Sequence, residues 1–448
     1  MNEELPMKFI VIGITDHPQP WFPPEVLHII KNGKVFSGGK RHHEIVAPLL
    51  PADALWIDIT VPLDAVFEQY ASLFLRPDGS WTSQAAEPSG KRPEVERTLH
   101  PSLSLIVFAS GDPLFFGFAN TIKRKMPEAE MIVYPAFNSL QMLAHRLLMP
   151  YHDMRIVSLT GRPWSEFDRV LIEREAKIGV LTDKEHTPAA IARRMLEYGY
   201  HAYTMHIGEH LGNPAKERVT TLTLEETAGM AFSMPNCLIL NTDDSQINRK
   251  DYSWPTRHDT CRVYGIPDHE FTLLDGREKM ITKMPIRLLT LAALGLPRKH
   301  VLWDIGFCTG SVSIEARLQF PHLQIEAFEI RPECEAIIRE NARRHGAPGI
   351  NVHIGDFLTA PLSLEEGQPD AVFIGGHGGR LKEIMAKVLT VLAPDGVIVM
   401  NSVKAPKVRT DSHQLWDEAC RELSLTQEPP MRIVIDEHHP IEILRCKR

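Results

Sequence analysis

The stretch Val301-Leu302-Trp303-Asp304-Ile305-Gly306-Phe307-Cys308-Thr309-Gly310 constrains the fold of this chain more than any other. An apolar run leads into a turn of small residues. A second apolar run, Ile325-Glu326-Ala327-Phe328, follows and ends at Glu329. An acid at a strand end about 20 residues past a glycine turn is how a βαβ unit grips the hydroxyls of a ribose. The fragment predicts an α/β sheet, mostly parallel, with its ligand at the carboxyl ends of the strands.

The surrounding sequence carries the same alternation. An amphipathic helix is expected over 282–294, then strand 301–305, helix 311–317, strand 325–329 and helix 332–345. Strands 351–354 and 371–374, helix 382–391 and strand 396–400 follow, with a closing antiparallel pair at 432–436 and 441–445. This is the order of an open, Rossmann-like sheet with helices on both faces. A different alternation fills the first half, with strands expected over 9–14, 55–59, 105–109, 130–134, 155–159, 178–181, 201–207 and 236–241. Helices are expected between them, at 139–148 and 189–198 for example. With 448 residues the chain exceeds one ordinary core. The expected division is a domain over 7–242, a polar linker over 243–262 and a second domain over 263–448. Residues 76–101, polar and rich in Pro, Gly and Ser, read as a surface excursion.

A formal net charge of -8 argues against a nucleic-acid partner, which would need phosphate neutralisation. The six cysteines are scattered with no CxxC pair, which fits a reducing cytoplasm rather than a disulfide or zinc framework. No stretch reads as a signal peptide or membrane span, so no membrane partner is expected. His206 and His210 flank Glu209 at a metal-like spacing, but Gly208 breaks any helix there, and no metal site is expected. His438-His439 reads as a solvated turn.

In the second half, Gly306 and Gly310 let the backbone turn sharply beside a ligand, and Glu329 can accept two hydroxyl hydrogen bonds. Gly355-Asp356-Phe357 ends the third strand, where the acid and the aromatic frame an adenine; the alternative for Asp356 is a turn or helix cap. Gly375-Gly376-His377-Gly378-Gly379 forms a rim over the reacting centre. The pyrophosphate-type G-x-G-x-x-G is absent. These parts predict an S-adenosylmethionine site of the Rossmann-like methyltransferase kind. A polar-Pro-Pro-aromatic tetrapeptide, which clamps exocyclic amines, is also absent after the fourth strand, so a carbon acceptor is favoured. A carbon nucleophile needs mainly alignment with the methyl donor, and no catalytic acid or base is assigned.

The first half holds Ala109-Ser110-Gly111-Asp112-Pro113-Leu114-Phe115-Phe116-Gly117 directly after an apolar strand. It also holds Ser37-Gly38-Gly39-Lys40-Arg41-His42, Tyr134-Pro135-Ala136-Phe137-Asn138-Ser139, Ser158-Leu159-Thr160-Gly161-Arg162 and Gly208-Glu209-His210-Leu211-Gly212-Asn213-Pro214. In order and spacing these resemble the tetrapyrrole methylases, a second and unrelated fold that binds S-adenosylmethionine. The whole chain, including Gly265-Ile266-Pro267-Asp268, is similar to the fused precorrin C-5,15-methyltransferases (decarboxylating) of cobalamin biosynthesis. The resemblance implies a tetrapyrrole methylase fold of two α/β subdomains followed by the Rossmann-like sheet. It implies methylation at C-5 by the first part, and methylation at C-15 with loss of the C-12 acetate carboxyl by the second. It implies S-adenosylmethionine at Gly13, Gly111, Asp112, Pro113, Phe115, Gly117 and Ser139. In the second part the implied contacts are Thr282, Gly306, Phe307, Cys308, Thr309, Gly310, Glu329, Asp356 and Phe357. Thr282 equally suits a helix cap. The substrate would be a precorrin or cobalt-precorrin, and the parent folds often form homo-oligomers.

Two departures stand out. Thr15 and the pair Phe307-Cys308 occupy positions where the family commonly has glycine or a small residue. A Cβ at Cys308 restricts positive φ, which argues against close backbone approach there; Phe307 is expected to pack under the helix. Lys40, Arg41, His42, Arg162, His377, Arg380 and Lys404 are candidates for pairing with substrate carboxylates, each against the alternative of a solvated surface charge. Decarboxylation can be driven by the macrocycle's own delocalisation. Two other readings stay open: a methyltransferase of RNA or protein, and a chain in which one domain only binds the cofactor.

Overall fold

The structure is a computed structural model that describes residues 7–74, 104–242, 264–362, 364–365, 367–403, 412–434 and 440–447. The expected excursion at 76–101, the linker at 243–262, Lys404 and His438-His439 lie outside the described residues.

The first sheet is parallel throughout. It holds β1 (Lys8–Ile14), β2 (Val35–Gly38), β3 (Leu55–Asp58), β4 (Ser104–Ser110) and β5 (Glu130–Tyr134) in the order β3-β2-β4-β1-β5. The apolar run of β1 is buried on both faces, as a central parallel strand requires. Lys8 pairs with Ser104 and Ile14 with Ser110, so β1 and β4 end at the same level. The second sheet holds β6 (Arg155–Ser158), β7 (Lys177–Leu181), β8 (Tyr203–Glu209), β9 (Arg218–Thr223) and β10 (Asn236–Thr242), ordered β6-β7-β10-β8-β9. Only β6 and β7 run parallel there. Two sequence readings fell short. The four-residue β2 is absent from the expected strands, although buried Ser37 pins it through hydrogen bonds to Tyr70 (2.6 Å) and the Ile57 carbonyl (2.7 Å). The edge strand β9, Arg-Val-Thr-Thr-Leu-Thr, carries too little apolar signal to announce itself.

The third sheet holds β11 (Val301–Ile305), β12 (Gln324–Glu329), β13 (Ile350–Ile354), β14 (Ala371–Ile374), β15 (Val397–Val403), β16 (Thr426–Gln427), β17 (Met431–Ile433) and β18 (Ile441–Lys447). Its order is β13-β12-β11-β14-β15-β18-β16, with β17 also pairing β18. Strands β11 to β15 are parallel, and the sequence reversal lies between β11 and β14. The expected closing hairpin is present, but its main partner is β15: Val397–Val403 pairs antiparallel with Ile441–Lys447 along its whole length. Helix Ser412–Glu422, not expected from the sequence, buries Trp416, Ala419 and Cys420 against this sheet.

Residues 278–298 are long and apolar enough to meet a membrane-crossing criterion. The segment is nevertheless broken into Glu278–Met280, Met284–Leu294 and Leu296–Arg298, and Leu291, Leu294 and Leu296 pack into the core of the third sheet. Within it, fully buried Arg287 donates to Glu315 (3.1 Å) and to the Thr282 carbonyl (2.9 Å). Glu315, also fully buried, accepts the N–H groups of Gly265 and Ile266, each at 3.0 Å. The Gly-Ile-Pro-Asp segment is therefore a structural lacing.

The two halves touch through polar groups. Tyr200 donates its hydroxyl to the Gly346 carbonyl (2.8 Å), and Arg343 pairs with Glu197 (2.9 Å). Buried Asp168, on helix Ser165–Ile172, takes both arms of Arg194 at 2.6 Å each. Buried Arg317 of the second half lies against the same spot. A Cβ on Gly349 would meet its Nη2 at 2.8 Å and Asp168 Oδ2 at 2.9 Å.

Candidate active sites

A cleft of about 480 Å³ opens where β1 and β4 end and reaches the second sheet. Its wall includes Thr15, Asp16, Arg41, His42, Ser110, Gly111, Phe115, Gly117, Ser139, Thr160 and Leu211. Of the expected cofactor contacts, the cleft gathers Gly111, Phe115, Gly117 and Ser139. Gly13 lies beneath: a Cβ there would stand 2.0 Å from the Gly111 carbonyl oxygen and 2.6 Å from Ala136 N. It is the packing glycine that lets the strand end sit under the turn. Asp112 bends back to accept the Leu114 N–H (2.9 Å) and Pro113 is buried, so both shape the turn without lining the cleft. Thr15 keeps a negative φ and needs no glycine.

The basic side chains on this cleft's wall, Arg41 and His42, are tethered. Arg41 donates to Ser110 Oγ (2.9 Å) and pairs with Asp16 (3.3 Å). His42 accepts the Gly39 N–H at Nδ1 (3.2 Å), which leaves its proton on Nε2, 2.9 Å from Ser110 Oγ. Arg162 stacks over the Phe116 ring at 5.1 Å, and Lys40 opens an exposed helix. His210 pairs with Asp16 (3.4 Å) while His206 bonds to Thr221 (2.9 Å), so the two histidines serve different partners.

Burial, aided by the Arg41 charge, lowers His42 from 6.5 to about 4, and burial likewise lowers His345 to about 4. The unfolded chain protonates both near 6.5. Their contribution to stability is therefore complete above that pH and is lost as the pH falls toward 4. The thermal midpoint should drop across this window, with a shallower drop in His42→Asn. Equal slopes in melts from pH 7.5 to 4.5 would contradict the assignment.

The second cleft, about 260 Å³, lies at the carboxyl ends of β11, β12 and β14. It brings together Gly306, Glu329, Asp356, Phe357, His377 and Arg380. Gly306 has φ +81°, and a Cβ there would meet Gly376 N at 2.6 Å. Asp304 is fully buried and accepts from Ser313 (2.6 Å), tying strand to helix; burial pushes its carboxyl up to about 7, against the pull of that hydroxyl. Glu329 is buried, which alone would raise its pKa. The Arg331 ion pair and the N–H groups of Arg331 and Cys308 outweigh this and hold it below the usual range.

Cys308 has φ +50°, in the left-handed region. A side chain there costs about 1–2 kcal/mol. The conformation is held by its N–H to Glu329 Oε2 (3.0 Å) and by packing with Phe307, Leu274, Cys334 and Ile338. The turn thus takes a left-handed residue other than glycine, and Phe307 packs with Cys334 and Ile338 of helix Glu333–Arg344. Phe307, Cys308, Thr309 and Gly310 support the turn from outside the cleft wall. Thr282 also lies off the wall, and the helix after it is capped by Asp268, which accepts the Met284 N–H (2.9 Å).

Asp356 and Arg380 neutralise each other through two contacts, 2.8 and 3.1 Å, and Asp356 also accepts the Leu358 N–H (3.0 Å). His377 Nδ1 accepts the Gly379 N–H (3.1 Å), and burial lowers its pKa, which keeps the ring neutral with its proton on Nε2. Phe357 sits edge-on to Phe328 at 5.1 Å. Three residues escaped the sequence reading of this region and its counterpart. Asp16 and Ser110 tether Arg41 and His42 in the first cleft. Lys387 holds the loop after β13 through the carbonyls of Phe357 (2.6 Å), Leu358 (3.1 Å) and Ala360 (2.6 Å). A lysine on a helix gives no sequence signal for that role.

Comparison with known proteins matches each half to a class. Residues 8–228 match the Tetrapyrrole (Corrin/Porphyrin) Methylases, and residues 275–423 match the Precorrin methyltransferase domain. A Precorrin-6Y C(5,15)-methyltransferase [decarboxylating] of Sinorhizobium sp is 30% identical over 88% of this chain and 84% of its own. A Cobalt-precorrin-6B C(15)-methyltransferase (decarboxylating) of Salmonella typhi is 34% identical over 39% of this chain and 93% of its own. A solved structure titled precorrin-6y C5,15-methyltransferase, from Geobacter metallireducens, is 33% identical over 41% of this chain and 97% of that one, with a TM-score of 0.35. The chain belongs to the precorrin-6Y C(5,15)-methyltransferase [decarboxylating] family.

Proposed function

We propose that the chain methylates a precorrin twice from S-adenosylmethionine and removes one carboxyl group, in cobalamin biosynthesis. Residues 7–242 carry the transfer to C-5, and residues 263–448 carry the transfer to C-15 with decarboxylation of the C-12 acetate. The observation that supports this most is the presence on one chain of two clefts, each at the carboxyl ends of parallel strands and each walled by both apolar and charged groups.

The walls suit the cofactor. In the second cleft, Glu329 stands at the ribose end and Phe328 and Phe357 offer an aromatic wall, while Gly306 keeps the backbone low where the donor must approach. In the first, Gly111 (φ +62°) and Ser139 play the equivalent part over an apolar floor of Phe115, Met142 and Leu211. S-adenosylmethionine supplies an electrophilic methyl group on a sulfonium. The protein aligns an electron-rich ring carbon with it and excludes water. Arg41 and Arg162 at one mouth orient the acetate and propionate edges of the macrocycle. Neutral His377 can donate from Nε2 to a substrate carboxylate.

Calorimetric titration of the full chain with S-adenosylhomocysteine tests the reading. Two saturable sites per chain are expected. One site or none would contradict a role for both clefts in methyl transfer.

A further inference from the structure

Glu329 has no acceptor capacity left. Its Oε1 takes the N–H groups of Ile330 (2.9 Å) and Arg331 (3.2 Å) and the Nε of Arg331 (3.0 Å). Its Oε2 takes the Cys308 N–H (3.0 Å) and the Nη2 of Arg331 (2.7 Å). A carboxylate offers about four lone-pair sites, and these five donors oversubscribe them, so each arriving hydroxyl must take the place of one guanidinium N–H. Three are backbone groups that fix the loop and cannot leave without unfolding it. The other two belong to one side chain, which can swing away by rotation about its own bonds. Glu329 is almost wholly buried, whereas the Arg331 side chain is 33% exposed and shares the cleft wall with His377 and Arg380. Two ribose hydroxyls can reach Glu329 only by displacing that guanidinium.

We propose that Arg331 is a latch on the ribose position of the C-terminal cleft: it covers Glu329, yields to the cofactor's ribose, and then offers its freed guanidinium to a carboxylate of the substrate at the rim. The proposal rests on the methyltransferase reading above. In it Arg331 is a positioning residue that acts against cofactor affinity and in favour of substrate affinity. The cofactor binds first, and loading the cleft strengthens substrate binding. By linkage, substrate strengthens cofactor binding to the same degree.

The test is calorimetry of S-adenosylhomocysteine on the full chain, comparing wild type, Arg331→Ala and Arg331→Met. The N-terminal cleft serves as the internal reference, and Arg331→Met retains the packing of the side-chain stem. Both variants should bind about fivefold tighter at the C-terminal cleft, the scale of a partly exposed ion pair removed as a competitor. Affinity at the N-terminal cleft should not change, and the KM for the precorrin in transfer to C-15 should rise. Arg331→Lys, which keeps the charge without the planar fork, should fall between. Unchanged or weaker cofactor binding in both Ala and Met variants overturns the latch while leaving the methyltransferase reading intact. Absence of binding by the wild type overturns both.

Discussion

Glu329→Ala should weaken cofactor binding at the C-terminal cleft by roughly 30- to 100-fold and leave the N-terminal cleft at wild-type affinity. Two hydroxyl bonds to a buried, ionised carboxylate contribute about 3–4 kcal/mol together. Removing the acid also removes the Arg331 competitor, which returns about 1 kcal/mol. The difference is about 2–3 kcal/mol, the range quoted. Glu329→Gln, which keeps one acceptor oxygen and weakens the latch, should lose less. Glu329→Ala also frees the Ile330, Arg331 and Cys308 N–H groups that fix the turn, so the milder Glu329→Gln, which keeps an acceptor for part of them, separates loss of the ribose contact from loosening of the loop. Two-site calorimetry reads both affinities in one experiment. Equal affinity in wild type and Glu329→Ala would remove this residue from the site.

The second large effect falls on stability. Asp168→Ala should destabilise the chain by about 3–5 kcal/mol, because it leaves cations buried without their counter-charge. Arg194 loses both of its 2.6 Å bonds, and nearly inaccessible Arg317 loses the neighbouring charge that favours its protonated form against burial. The position lies between the halves, so the loss should appear in both. The urea midpoint followed by signals from each half should shift together. A shift confined to the first half would mean that Arg317 draws nothing from Asp168, and no shift would mean that Arg194 finds another partner.

Much of this architecture is legible in the sequence because buried parallel strands and glycine turns leave local signatures. The run ending at Ile305, the turn at Gly306 and the acid at Glu329 all fall where the periodicity placed them. What escaped has a common physical cause. β2 and β9 are short or polar, and their identity as strands comes from neighbours far along the chain. The insertion of β18 beside β15 is a pairing over some forty residues that no local pattern encodes. Asp168, Arg287, Glu315 and Arg317 are charged residues, which composition assigns to the surface; only the tertiary structure reveals the partners that let them be buried. The expected contacts at Asp112, Pro113, Phe307, Cys308, Thr309 and Gly310 carry motif identity but lie off the cleft walls. Asp356 and Arg380 were read separately, as an adenine contact and a substrate contact, yet they spend their charge on each other.

Mass analysis of product from a precorrin incubated with S-adenosylmethionine and the full chain tests the central claim most directly. The account predicts two methyl groups gained and one carbon dioxide lost with the wild type. With Glu329→Ala at limiting cofactor it predicts one methyl gained and no carbon dioxide lost. An unmodified precorrin, with labelled methyl transferred to RNA or protein instead, would contradict it.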